Sequence, residues 1–79
     1  MQGYYLRVSN ENDVDGTRLP ALARRLIAMG MTGGPQQSAK GFYSIWPEFI
    51  APVSADQLRA AASELGFVVV EVVTPVSSV

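Results

Sequence analysis

The chain of 79 residues contains no histidine and no cysteine. Those absences remove the near-neutral proton shuttle, the thiolate nucleophile and the common metal ligands. They also exclude disulfides, so a chain this short must hold itself together by its core or by a partner. Charge of one sign is scarce as well: six basic residues face seven acidic ones, for a net charge of −1. A protein that holds nucleic acid by bulk electrostatics carries a basic excess, and no basic run suggests a membrane surface. Long hydrophobic runs are missing. Phe67 to Val70 is far short of the ~20 apolar residues of a membrane span. The first residues read as a polar-aromatic strand and not as a charged leader with an apolar core, so a secretory signal is not expected. A cysteine-free chain suits a reducing compartment, and a cytoplasmic location is the expectation.

What is present is a folded-domain composition, 48% hydrophobic, arranged in clear periodicities. One domain is expected over residues 1–75, with a flexible tail over 76–79. Tyr4, Leu6 and Val8 alternate with Tyr5, Arg7 and Ser9, the pattern of a half-buried strand. A polar loop from Asn10 to Gly16 follows. A helix is predicted from an N-cap at Thr17 to a stop at Gly30, with Pro20 in its first turn. Leu19, Leu22, Ala23, Leu26 and Ile27 form its apolar stripe, and Arg18, Arg24, Arg25 and Ala28 lie on or near the other side. Residues 31–41 are rich in glycine and glutamine and read either as a loop or as a polar edge strand. Phe42 to Trp46 alternates as a strand, ended by Pro47. Glu48 to Val53 reads as an extended connection. Ser54 and Gln57 have capping-box spacing before a second helix lined by Leu58, Ala61, Ala62 and Leu65 and stopped by Gly66, with Val53 and Leu58 as a hydrophobic staple. Phe67 to Val73 is a β-branched strand.

The resulting expectation is an α+β fold, a ferredoxin-like β-α-β-β-α-β plait with two helices on one face of an antiparallel sheet. Without a strand in 31–41 the alternative is a three-stranded βαβαβ sheet with right-handed crossovers.

Four local patterns bear on function. Glu11, Asp13, Asp15 and Gly16 fit the front half of a calcium-binding EF-hand loop, but Leu22 stands where the bidentate glutamate is needed. Gly30 to Pro35 is rich in glycine but lacks the lysine-containing end of a phosphate loop and opens no helix. Lys40, Gly41, Phe42 and Ile45 match part of a strand motif, which thereby resembles the third strand of the RNA recognition motif family. Tyr43, Ser44 and Pro47 depart from it. The resemblance implies an open sheet face on which Tyr5, Phe42 and Trp46 stack bases while Lys40 and Arg7 meet phosphates. Finally, the apolar strand Phe67–Val73 at a sheet edge would need a cover, either a second copy of the chain or a strand of another protein; a central position would account for its composition instead.

No spacing singles out Lys40 with a nearby serine, or Asp13 with Asp15, as catalytic machinery, and no enzyme is expected. No cofactor or metal is called for. The expectation is a non-enzymatic protein-binding module, an adaptor or inhibitor that acts by covering a surface of a partner, possible members of that class being phage-encoded inhibitors of a large host complex such as anti-CRISPR proteins, by analogy of size. Its contact residues would be Tyr5, Arg7, Phe42 and Trp46 on the sheet face, with Arg18 and Arg25 on the first helix as a second patch. The alternatives are binding of single-stranded nucleic acid through the same aromatic face and an ACT-like small-molecule sensor, a dimeric plait whose only support is the glycine-rich segment after the first helix.

Overall fold

In the computed structural model, residues 2–75 are described. They form β1 (Gln2–Gly3), β2 (Tyr5–Ser9), α1 (Arg18–Ala28), β3 (Met31–Gly33), β4 (Gln36–Ala39), β5 (Phe42–Ile45), β6 (Glu48–Phe49), α2 (Ala55–Glu64) and β7 (Val68–Val73). The architecture is a small α+β domain of two helices and two antiparallel sheets. One sheet has the order β1-β6-β3, the other β4-β5-β2-β7. The pattern of alternation foresaw β2, β5, β7 and both helices. It left 31–41 open, and that segment supplies β3 and β4, which removes the three-stranded alternative. The extended connection expected over Glu48–Val53 is corrected in part, because Glu48 and Phe49 form β6 and Phe49 is fully buried. The tail over 76–79 lies outside the described residues.

The two sheets are linked by three chain segments that cross from one to the other at the same level. The first runs from β1 to β2 through Tyr4, the second from β3 to β4 through Gly34 and Pro35, and the third from β5 to β6 through Trp46 and Pro47. Pro35 and Pro47 lack the N–H that a continuous ladder needs, so pairing stops at both and resumes beyond them. Two backbone bonds bridge the break: Tyr4 N–H donates to the Pro47 carbonyl (2.9 Å) and Trp46 N–H to the Pro35 carbonyl (3.0 Å). Gly34 packs closely against the Met31 side chain there, which would have to shift to admit a larger residue. A Cβ on it would lie 2.9 Å from Met31 Sδ and 3.5 Å from Pro47 Cα.

Leu6 and Val8 of β2 and Tyr43 and Ile45 of β5 share one buried cluster with Leu22 and Leu26 of α1 and Leu58, Ala61 and Ala62 of α2. Both helices therefore cover the same face of the four-stranded sheet. The expected stripe of α1 is narrower than its periodicity implied: Leu22 and Leu26 are buried, whereas Ile27 is 58% exposed. α2 starts as expected. Ser54 Oγ accepts from Gln57 N–H (3.1 Å) while Gln57 Oε1 accepts from Ser54 N–H (2.9 Å), the reciprocal capping box. It ends with Phe67 N–H on the Ala62 carbonyl and Gly66 N–H on the Ser63 carbonyl, a Schellman closure that needs the positive φ of Gly66, +83°.

β7 is an edge strand with a bulge. Val72 pairs with Leu6 and Val69 with Val8, while Glu71 pairs with Arg7. Val70 is the extra residue. The bulge lets two valines three positions apart both face the core, where a regular strand would keep only residues two apart on one side.

The α1 N-terminus departs from expectation. Thr17 occupies the cap position but makes no side-chain cap bond. Asp13 does so from farther upstream: its carboxylate accepts from Arg18 N–H (2.8 Å) and Leu19 N–H (3.3 Å) and from the Tyr43 hydroxyl (2.7 Å). Asp13 is 5% exposed, so the polar loop is anchored in the protein at this point. Asp15 turns its Oδ1 to the N–H and hydroxyl of Thr17, which lowers its pKa from the ordinary carboxylate value. These carboxylates are engaged by N–H and O–H donors, in place of the alternating ligand array that a calcium loop requires.

Asp13→Ala strands one buried and two part-buried donors and is expected to cost about 2–3 kcal/mol, against about 1 kcal/mol for Tyr43→Phe, read as midpoint shifts in urea unfolding. The Asp13 bond and burial raise the Tyr43 pKa above 10.0. A folded pKa raised above the unfolded one gives stability that is complete below about pH 10 and is lost as pH rises through the folded value; Tyr43→Phe should flatten that alkaline limb. Gly66→Ala loses the left-handed closure and drives a Cβ against the Arg18 guanidinium; a loss of about 1–2 kcal/mol is expected in the same assay.

Candidate functional site

The face of the four-stranded sheet away from the helices carries the side chains that alternate with the core: Tyr5, Arg7 and Ser9 from β2, Phe42 and Ser44 from β5, and Glu71 and Val73 from β7. Four of the residues expected on a contact surface meet here in one row. The Trp46 and Tyr5 rings lie 5.4 Å apart, tilted by 41°. Arg7 Nε donates to the Tyr5 hydroxyl (3.1 Å), and the Arg7 guanidinium carbon lies 4.4 Å from the Phe42 ring centroid. The Tyr5 hydroxyl is also 3.2 Å from Ser44 Oγ. The order along the row is thus indole, phenol, guanidinium, phenyl. Each member restrains its neighbour, so little side-chain entropy is left to lose on contact.

This order also fixes what Arg7 can do. Its cation is held against Phe42 and Tyr5, a cation–π and hydrogen-bonded arrangement, and Glu71 stands opposite it in the register. The guanidinium is a part of the surface and not a free charge above it. Trp46 is 40% exposed and stands where the two sheets separate.

At that separation the face deepens into a groove of about 430 Å³. It runs across the strands along the line of breaks. Pro35 and Trp46 stand on one side, Tyr5 crosses the middle, and Val73 and Pro75 close the other, with Glu48 contributed by β6. β7 stops pairing at Val73 and β1 is an edge of its sheet, so among the described residues no strand covers Gly3, which lines the groove there.

Arg18 and Arg25 do not join this site. Arg18 Nη1 donates to the Leu65 carbonyl at the end of α2 (3.0 Å), where a cation complements the helix dipole. Arg25 pairs with Glu64 of α2 (3.1 Å). Both tie the helices to each other on the far side of the sheet from Trp46. Of the edge segment Phe67–Val73, Phe67 is 4% exposed and belongs to the core; the accessible edge is Val68–Val73, interrupted by its bulge and by Glu71. The groove residues Pro35, Glu48 and Pro75 were not among the contact residues expected from the sequence. Pro35 was read as the end of a glycine-rich segment and Pro75 lay just past the last expected strand, and only the pairing of strands distant in sequence brings them beside Trp46.

Among the described residues no helix is long and apolar enough to cross a membrane, and no group of three or more acidic, histidine or cysteine side chains is placed to hold a metal ion. No family model, curated protein or solved structure matches the chain.

Because the row lies outside the main core, Trp46→Ala and Tyr5→Ala are each expected to cost no more than about 1.5 kcal/mol and to leave cooperative unfolding intact, against about 3–5 kcal/mol for Phe49→Ala in the core. Circular dichroism melts of the three variants check this.

Proposed function

We propose that the chain is a non-enzymatic protein-binding module, an adaptor or inhibitor that covers part of a partner's surface with the helix-free sheet face. The observation that carries this reading is the Trp46–Tyr5–Arg7–Phe42 row: aromatic and arginine side chains, pre-arranged by contacts with each other, are the composition of strong contact centres. The row offers no general base or nucleophile in a closed pocket, which favours binding over catalysis. We take the four-stranded sheet with its two helices as a ferredoxin-like plait, on the support of its strand order, with the three-stranded sheet as an extension of it.

A second reading, single-stranded nucleic acid on the same rings, draws support from the Trp46–Tyr5 pair, since rings at this spacing can stack bases. Glu48 and Glu71 on this side and the engaged Arg7 weigh against it, because phosphate contacts carry most of such affinity.

The test captures partners with the tagged chain from lysate, with and without nuclease, beside Trp46→Ala, Tyr5→Ala and the control Arg25→Ala. The expected result is a nuclease-resistant protein that Trp46→Ala and Tyr5→Ala lose, each with a drop of about tenfold or more, and that Arg25→Ala retains. Equal capture by Trp46→Ala, or loss of the captured material with nuclease, would overturn the reading. In the second case salt-sensitive quenching of Trp46 by oligonucleotides is expected. Light scattering on the purified chain tells whether it self-associates, as a second copy at the β7 edge would require.

A further inference from the structure

The groove at the sheet break has a more specific chemistry than the face as a whole. Its walls are flat and apolar: the Trp46 and Tyr5 rings, 5.4 Å apart, with Pro35 at one end and Pro75 at the other. Its one charged lining residue is Glu48. Among the described residues the Glu48 carboxylate makes neither an ion pair nor a hydrogen bond, while its backbone carbonyl accepts from Thr32 Oγ1. The nearest cation of the row, Arg7, is spent on Phe42 and Tyr5. The groove therefore presents aromatic walls and, from β6, one acidic residue whose carboxylate has no partner among the described residues.

Size and shape narrow the occupant. A volume of about 430 Å³ sits at the lower end of the range for small-ligand sites; it admits a few residues of an extended chain and no folded element. The groove crosses the strands at the level where their ladders are interrupted, so apart from the short open edge at Gly3 it offers rings and not a row of N–H and C=O groups. Grooves of that kind suit a polyproline II segment, whose ridges pack on aromatic planes and whose conformation is already fixed before binding. The unpaired carboxylate asks for a cation, and the aliphatic stem of arginine or lysine can lie along an indole while its head reaches a carboxylate.

We infer, on the basis of the protein-binding reading above, that this groove takes a proline-flanked arginine or lysine from an extended segment of the partner, with Trp46 and Tyr5 as its apolar walls and Glu48 as the counter-charge. The segment crosses the sheet from the Pro35 side to the Pro75 side.

Trp46 is the sole tryptophan, so its emission reports on this groove alone. Three capped pentapeptides serve as probes, each with two prolines on either side of a central arginine, glutamine or glutamate. The arginine peptide is expected to shift Trp46 emission saturably, with Kd in the millimolar range or below. Glutamine at the centre should weaken it by about fivefold, as expected for a partly desolvated ion pair, and glutamate by more. Glu48→Gln, at an exposed position, should bring the arginine and glutamine peptides within about twofold of each other; its circular dichroism spectrum verifies the fold. Absence of a saturable shift with the arginine peptide up to about 10 mM (beyond the weak limit of specific recognition), equal binding of the arginine and glutamate peptides, or an arginine preference that survives Glu48→Gln overturns the inference. If the peptides fail while Trp46→Ala still loses the captured protein, the groove chemistry is wrong and the binding face stands. Failure of both removes both.

Discussion

The constraint on which the rest of this protein depends is the lack of two backbone donors at one level of the sheet. Pro35 and Pro47 fall on neighbouring strands and end their ladders beside each other, and Tyr4 marks the same level on the third. A break in one strand would be a local irregularity. Aligned across three strands it divides the sheet into two, and two bridging amide bonds leave it ordered. The division places Phe49 in the core, brings Trp46 to the surface and creates the groove. The helices cover one side of the four-stranded part, and the break shapes the other.

A second, polar constraint acts at the opposite end of β2. The loop after it is short of hydrophobic anchors, since Val14 points to solvent, and it is held by side chains that replace missing backbone partners. Asn10 reaches the Ala39 carbonyl, Asn12 the Gly66 carbonyl, and Asp13 the first amides of α1. Together with Arg18 on the Leu65 carbonyl, these bonds join the hairpin tip, α1 and α2 at one corner. The buried acid thus serves the architecture, and the carboxylates that resemble a cation loop in sequence have a different use.

Much of the fold was legible in the chain, for physical reasons that differ by element. Helix α2 carries a complete set of local signals, a capping box and a closing glycine, and these need no tertiary information. Strand β2 carries strict alternation. The short strands β1, β3 and β6 were not legible because two or three residues show no period. The cap from Asp13 was not legible because it works from four positions before the cap residue and is fixed by Tyr43, 30 residues away. The row of Tyr5, Arg7, Phe42 and Trp46 could be foreseen from alternation, since the outward phase of two neighbouring strands falls on one face. Its geometry, above all the engagement of Arg7 by Phe42 and Tyr5, depends on register, which alternation does not determine. Arg18 and Arg25 looked like a free surface patch because the helix wheel does not show that α2 lies beside them.

The bulge in β7 leaves Val70 outside the alternation that divides this strand between core and open face. Its side chain is 57% exposed and answers to neither packing nor pairing with β2. A position of that kind separates two demands that a regular edge strand must meet with the same residues. Val69 and Val72 pack against the core on either side of it, so an exposed residue at the bulge can change its chemistry with little effect on the fold's stability. The domain thus holds a variable margin next to a fixed interior, which gives a small chain room to alter what it meets at that edge.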